Sequence, residues 1–345
     1  MYFSPGKKQN DSGANMNIFL TYDYELFFGK PAGSLEKSIL YPSQLLMDLA
    51  EKHGIGMTYF VDVGYLLRLE KFKTEFPQLQ QEYEQVVEQL KTLQKKGNAL
   101  QLHIHPHWEK SWYDGKEWIM VVDNCYKLTD FQDDEILEIV TRYKQKLEAI
   151  SEKPVQGFRA GGWCLQPFDR IRPAFMKNNI RLDSTVYPGA YFETEHYFYD
   201  FRTAPGDKGH YRFEDDLCKE NEQGFFTEYP IASWKYNPLF YWQLYGWGRL
   251  RPDRHKMIGD GMFIPQPGKK YTNLTRSGWN HVSCDGYYAS VLKKVTKTYA
   301  AKGRTDLVVI GHPKSMTRFG LEKLDTYIAY AKKNQHKFRT FDDLI

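Results

Sequence analysis

The chain has 345 residues, 41% of them apolar, and its 47 basic and 43 acidic side chains give a formal net charge of +4. That is enough apolar material for a full core, arranged as one large domain or two small ones. The near balance of charge excludes the electrostatic signature of a nucleic-acid binder or a membrane-surface protein, and no run of about 18 apolar residues offers a stable membrane insertion.

Residues 1–15 are polar and lack the apolar stretch of an export signal. They are expected to form a flexible tail, with Met16 an alternative start. Beyond them, short β-prone runs alternate with helical patterns. Strands are predicted at 17–22, 57–61, 99–103, 155–159 and 180–184, and later at 307–311 and 338–340. Helices are predicted at 42–53, with Leu45, Leu46, Leu49 and Ala50 on one face, at 79–96, closed by Gly97, and at 133–150, capped by Thr129 or Asp130. Further helices are predicted at 168–178, 286–302 and 321–333. This alternation predicts an α/β fold with a mostly parallel sheet, in which seven or eight strands could close into a (β/α) barrel. No phosphate-binding glycine loop follows any strand, so a nucleotide-binding sheet has no support.

The stretch 187–279 is dense in aromatic residues and holds one clear strand candidate, 225–231. It reads as an insertion on a single barrel domain spanning 16–345. Its rings, among them Tyr191, Phe192, Tyr197, Phe198, Tyr199, Trp234, Tyr236, Tyr241, Trp242, Tyr245 and Trp247, would either wall a saccharide groove or pack the insertion against the barrel. Cys125, Cys164, Cys218 and Cys284 lie far apart and form no CxxC pair. They are expected to be reduced thiols of a cytoplasmic protein.

The chemistry gathers at predicted strand ends. Asp23-Tyr24-Glu25 follows the first strand, and His103-Ile104-His105-Pro106-His107-Trp108 the third. Arg159 with Gly161-Gly162-Trp163 follows the fourth, Asp183-Ser184 the fifth, and His312-Pro313 a late one. In a (β/α) barrel these ends share one face, which carries the active site. His103 and His107 have a spacing that lets two imidazoles reach one ion if a helical turn follows the strand. Two histidines with one carboxylate form a common catalytic zinc set that leaves a place for water. Asp23 and Glu25, two apart, point to one side of an extended segment, so one can bind the ion while the other takes a proton. His312 could then protonate a leaving amine.

At these residues the chain resembles the polysaccharide deacetylases (NodB homology, carbohydrate esterase family 4), in particular the branch of O-antigen and other surface-polysaccharide gene clusters. Thr21-Tyr22-Asp23-Tyr24-Glu25 stands where that family has Thr-Phe-Asp-Asp-Gly, with a tyrosine at the usual metal-binding aspartate. The resemblance implies a distorted (β/α) barrel and hydrolysis of an acetyl group, most often N-acetyl, on an amino sugar. It implies that Asp23 is the base, held by Arg159, that Glu25, His103 and His107 hold a divalent metal, most commonly zinc, and that His312 is the acid, tuned by Asp183. His105 stands as an alternative ligand, and Trp108 and Trp163 as candidate walls of the substrate groove. The competing readings are a small-molecule amide or imide hydrolase on the same fold and a catalytically dead saccharide-binding protein. The oligomeric state is not legible.

Overall fold

A computed structural model describes residues 15–266 and 268–345. The expected tail therefore lies, apart from Asn15, outside the described residues. Seven parallel strands form the sheet: β1 (Asn17–Tyr24), β2 (Thr58–Asp62), β3 (Ala99–Ile104), β4 (Gly157–Ala160), β5 (Leu182–Asp183), β6 (Phe226–Glu228) and β7 (Asp306–Gly311). Their spatial order is β6-β5-β4-β3-β2-β1-β7. Continuous apolar runs such as Ile18-Phe19-Leu20 and Leu307-Val308-Val309-Ile310 are buried on both faces, as a parallel sheet covered on both sides requires. Tyr211–Phe213 adds an antiparallel strand outside β6, and Lys337–Phe338 lies parallel to β1.

The regular ladder is a half-barrel, and the curled sheet meets itself through isolated bridges. Leaving β6, the chain crosses to β7, where the Ala232 N–H donates to the Val308 carbonyl at 2.8 Å. Ile231 bridges Val308 and Ser283 bridges Ile310, both parallel. The barrel is thus seven-stranded and distorted at the β6–β7 seam.

Helices cover the outside. Tyr41–His53 ends at Gly54 in the left-handed region, φ 59°. Val63–Phe72 and Pro77–Lys95 both lie between β2 and β3. The first of these escapes sequence reading because its apolar residues run on directly from the strand. Asp133–Ser151 starts where expected but is not capped by Thr129 or Asp130. Its cap is Gln132, whose backbone N–H donates to the Glu135 carboxylate at 2.8 Å, while the expected caps sit in their own 3-10 turn, Leu128–Asp130. Among the described residues no helix is long and apolar enough to cross a membrane.

The aromatic stretch is not one insertion. β6 divides it into two excursions from the barrel. The first carries a hairpin, Tyr191–Glu193 with Phe198–Asp200. The second carries a ribbon, Ser233–Tyr236 with Gly278–His281, around the helix Pro238–Leu250. Tyr236, Phe240 and Tyr241 make a small core of their own there, so these rings serve packing.

Candidate metal centre and acid–base groups

The C-terminal ends of β1, β3, β4 and β7 bring Asp23, Glu25, His103, Arg159 and His312 together on one face of the sheet. Arg159 is fully buried and donates from Nη1 to Asp23 Oδ1 at 2.7 Å. The rest of its fork is occupied by Thr21 Oγ1 at 2.9 Å and by the Ser184 carbonyl and hydroxyl at 2.7 and 3.0 Å, and its plane lies over Phe60. Burial alone would raise the Asp23 carboxyl. The Arg159 guanidinium, with His103 and His312, outweighs that and holds it below the usual range. Asp23 therefore presents one fixed, ionised oxygen, Oδ2, at 3.9 Å from His103 Nε2 and 3.6 Å from His312 Nε2.

Glu25, His103 and His105 form a buried group whose ligand atoms all lie within 4.8 Å of one another. Glu25 Oε2 is 3.1 Å from His103 Nε2 and 2.6 Å from His105 Nε2. His105, not His107, is the second imidazole of the cluster, a correction with a local cause. The backbone stays extended through His105 (φ −107°, ψ 95°) and turns only at Pro106, so side chains two apart share a side. The 3-10 turn Pro106–Glu109 carries His107 away, stacked on Tyr126 at 5.9 Å and on Trp108 at 5.4 Å.

The donors suit a divalent ion. Burial pushes His105 down to about 4, which keeps it neutral near pH 7 and free to ligate. His103 Nδ1 lies 2.8 Å from the Arg159 carbonyl, an orientation that leaves Nε2 facing the carboxylate. Burial would depress His103 too, but Asp23, Glu25 and Asp62 raise it, so this point of the site attracts positive charge. His105 Nδ1 and His107 Nε2 are buried without a hydrogen-bond partner.

His312 is oriented by a residue that sequence reading missed. Asp285 Oδ2 lies 2.7 Å from His312 Nδ1, and Asp285 Oδ1 accepts from the His312 N–H at 2.8 Å. Burial would lower the imidazole, yet Asp285, Asp23 and Glu25 raise it above its ordinary value, as an acid requires. Asp183, expected to tune His312, instead accepts from the Thr185 hydroxyl at 2.7 Å and lies against Glu228. Burial, then the Asp183 charge, pushes Glu228 well above the carboxylate range. The two carboxyls face each other across β5 and β6, and burial favours their protonated forms.

Lys314 was also missed. It is 2% exposed and donates to Glu25 Oε1 at 2.8 Å. A lone lysine after His-Pro reads as a solvated charge, and only the pairing accounts for its burial.

Trp108 cannot line a groove. It is 0% exposed, donates to Asp62 Oδ2 at 2.6 Å and packs on Tyr65 and Trp118. Trp163 is partly exposed, in a left-handed residue (φ 60°), and stacks on His281 at 5.2 Å. It remains the better groove candidate. Tyr197 of the first excursion leans on Tyr126 at 4.3 Å, which brings that hairpin to the edge of the site.

No family profile matches the sequence, and no curated protein matches it either. Solved structures do match in fold. A Mycobacterium smegmatis protein designated a polysaccharide deacetylase superposes with TM-score 0.54 at 14% identity, over 100% of this chain and 93% of that one. An allantoinase, PuuE, matches with TM-score 0.49 at 11% identity over 95% of this chain and 88% of its own. A peptidoglycan N-acetylglucosamine deacetylase matches with TM-score 0.40 at 12% identity over 97% and 91%. The first of these supports the curled, mostly parallel (β/α) architecture.

Proposed function

We propose that this protein is a divalent-metal-dependent deacetylase that hydrolyses an acetyl group, most often N-acetyl, on an amino sugar or a surface-polysaccharide precursor. One observation carries the reading. Three separately held units, Asp23 on Arg159, Glu25 with His103 and His105, and His312 on Asp285, converge: Asp23 Oδ2 lies 3.9 Å from His103 Nε2 and 3.6 Å from His312 Nε2, and Glu25 Oε1 lies 3.9 Å from His312 Nε2. A binding protein would need a ligand cluster or a wall of rings, but not an ionised carboxylate facing a proton-bearing imidazole across it.

Glu25, His103 and His105 would hold the ion, which when bound polarises an acetyl carbonyl and lowers the pKa of water. Asp23, ionised and held through Oδ1, accepts the proton of the attacking water at Oδ2. His312, whose affinity for a proton Asp285 raises, delivers one from Nε2 to the departing amine. Trp163 would flank the sugar. Acetate release from a panel of N- and O-acetylated amino sugars, and from short amides and imides, tests the assignment. Turnover confined to acetylated sugars supports it, and turnover confined to the small amides or imides overturns it.

A further inference from the structure

We propose that Lys314 is a positioning residue that reserves one oxygen of Glu25, so that this carboxylate offers a divalent ion a single atom. The inference rests on the metal-site reading above. Lys314 sits on the short turn Pro313–Ser315 behind His312. Its ammonium donates to Glu25 Oε1 at 2.8 Å and to the Leu26 carbonyl at 2.5 Å. The rings of Phe28, Phe27 and Phe263 surround it at 4.8, 5.0 and 5.7 Å.

The two oxygens of Glu25 are thereby divided. Oε2 faces His105 and His103, while Oε1 is spent on Lys314. Carboxylates bind cations through one oxygen or both. An ammonium at hydrogen-bond distance occupies the lone pair of Oε1 and repels a second cation approaching from that side. Glu25 is then left as a one-atom ligand beside two imidazoles, the three-donor arrangement that keeps a coordination position for water. Oε1 is also the oxygen that lies 3.9 Å from His312 Nε2, so the side kept clear of the ion is the side of the acid.

A lysine that only neutralised a buried carboxylate would affect folding but not the ion's coordination, and the test separates the two. Cobalt(II) is titrated calorimetrically into wild type, Lys314→Met and Lys314→Arg, and the visible spectrum of each cobalt form is recorded, since band position and intensity report coordination. Lys314→Met should bind cobalt at least tenfold tighter, with weaker bands as the second oxygen of Glu25 joins the ion. Lys314→Arg, which keeps the charge and the donors, should restore the wild-type spectrum. If Lys314→Met folds only when cobalt is present, its spectrum alone decides. A wild-type spectrum and unchanged or weaker affinity in Lys314→Met would overturn the inference and leave the metal site standing. A wild type that binds no cobalt would overturn the metal site, and the inference with it.

Discussion

Asp23 works from a fixed position because Arg159 holds one of its oxygens and leaves the other facing the two histidines. Asp23→Asn keeps the shape and one acceptor for Arg159 but cannot take a proton. Acetate release should fall by about 10²–10⁴ with metal content unchanged, and a variant turning over at the wild-type rate would remove Asp23 from the mechanism. Asp285→Asn should lower turnover at least tenfold. Asp285 raises the His312 pKa, so its loss should also move the alkaline limb of the rate profile to lower pH; an unshifted limb would mean Asp285 is not what keeps His312 protonated. Asp23, Glu25, His103, Arg159 and His312 were legible because each ends a recognisable strand. Asp285 was not. It follows Val282-Ser283-Cys284, a segment that touches β7 only through isolated bridging hydrogen bonds and so carries no strand pattern. Lys314 was hidden for another reason: a charged residue's burial is set by its partner, here 289 residues away in sequence.

At the level of elements, the H-x-x-x-H spacing misled because it presumed a helical turn directly after β3. Extended backbone through His105 and the turn beginning at Pro106 set His105, and not His107, beside Glu25 and His103, as the two-residue alternation of a strand requires. Trp108 was misplaced by the same turn, which sends it under the helix Val63–Phe72. Its second residue is Gly64, where an added Cβ would stand 2.6 Å from Trp108 Cδ1 and 2.7 Å from its Cβ. Gly64→Ala improves helix propensity by nearly 1 kcal/mol, but the overlap with a fully buried indole should prevail and destabilise the fold by about 1–3 kcal/mol. Denaturant midpoints measure this, and a more stable Gly64→Ala would show that the indole has room to move.

Over the whole molecule, the parallel α/β architecture and most of its strands were legible from apolar periodicity. The seam between β6 and β7 was not, since a crossing made of single bridges leaves no repeat to read, and for that reason a barrel strand was taken as part of an insertion. Beside that seam, the β5–β6 ladder sets Asp183 against Glu228, and the titration of this pair ties stability to pH. Glu228 titrates higher in the folded chain than in the unfolded one, where a glutamate releases its proton near pH 4.3. As pH rises past that value the unfolded chain sheds a proton that the folded chain retains, so stability falls until the folded group ionises. Glu228→Gln should therefore be more stable than wild type at pH 7, with the difference vanishing near pH 4. Equal unfolding midpoints at pH 7 would contradict a raised Glu228 between these strands.

The measurement closest to the central claim is the metal content of the purified protein, by elemental analysis, for wild type and for His103→Ala, His105→Ala and His107→Ala. About one divalent ion per chain in wild type and in His107→Ala, lost in His103→Ala and His105→Ala, is the expected pattern. No ion in wild type after incubation with excess zinc, or an ion retained in His105→Ala and lost in His107→Ala, would contradict the site described.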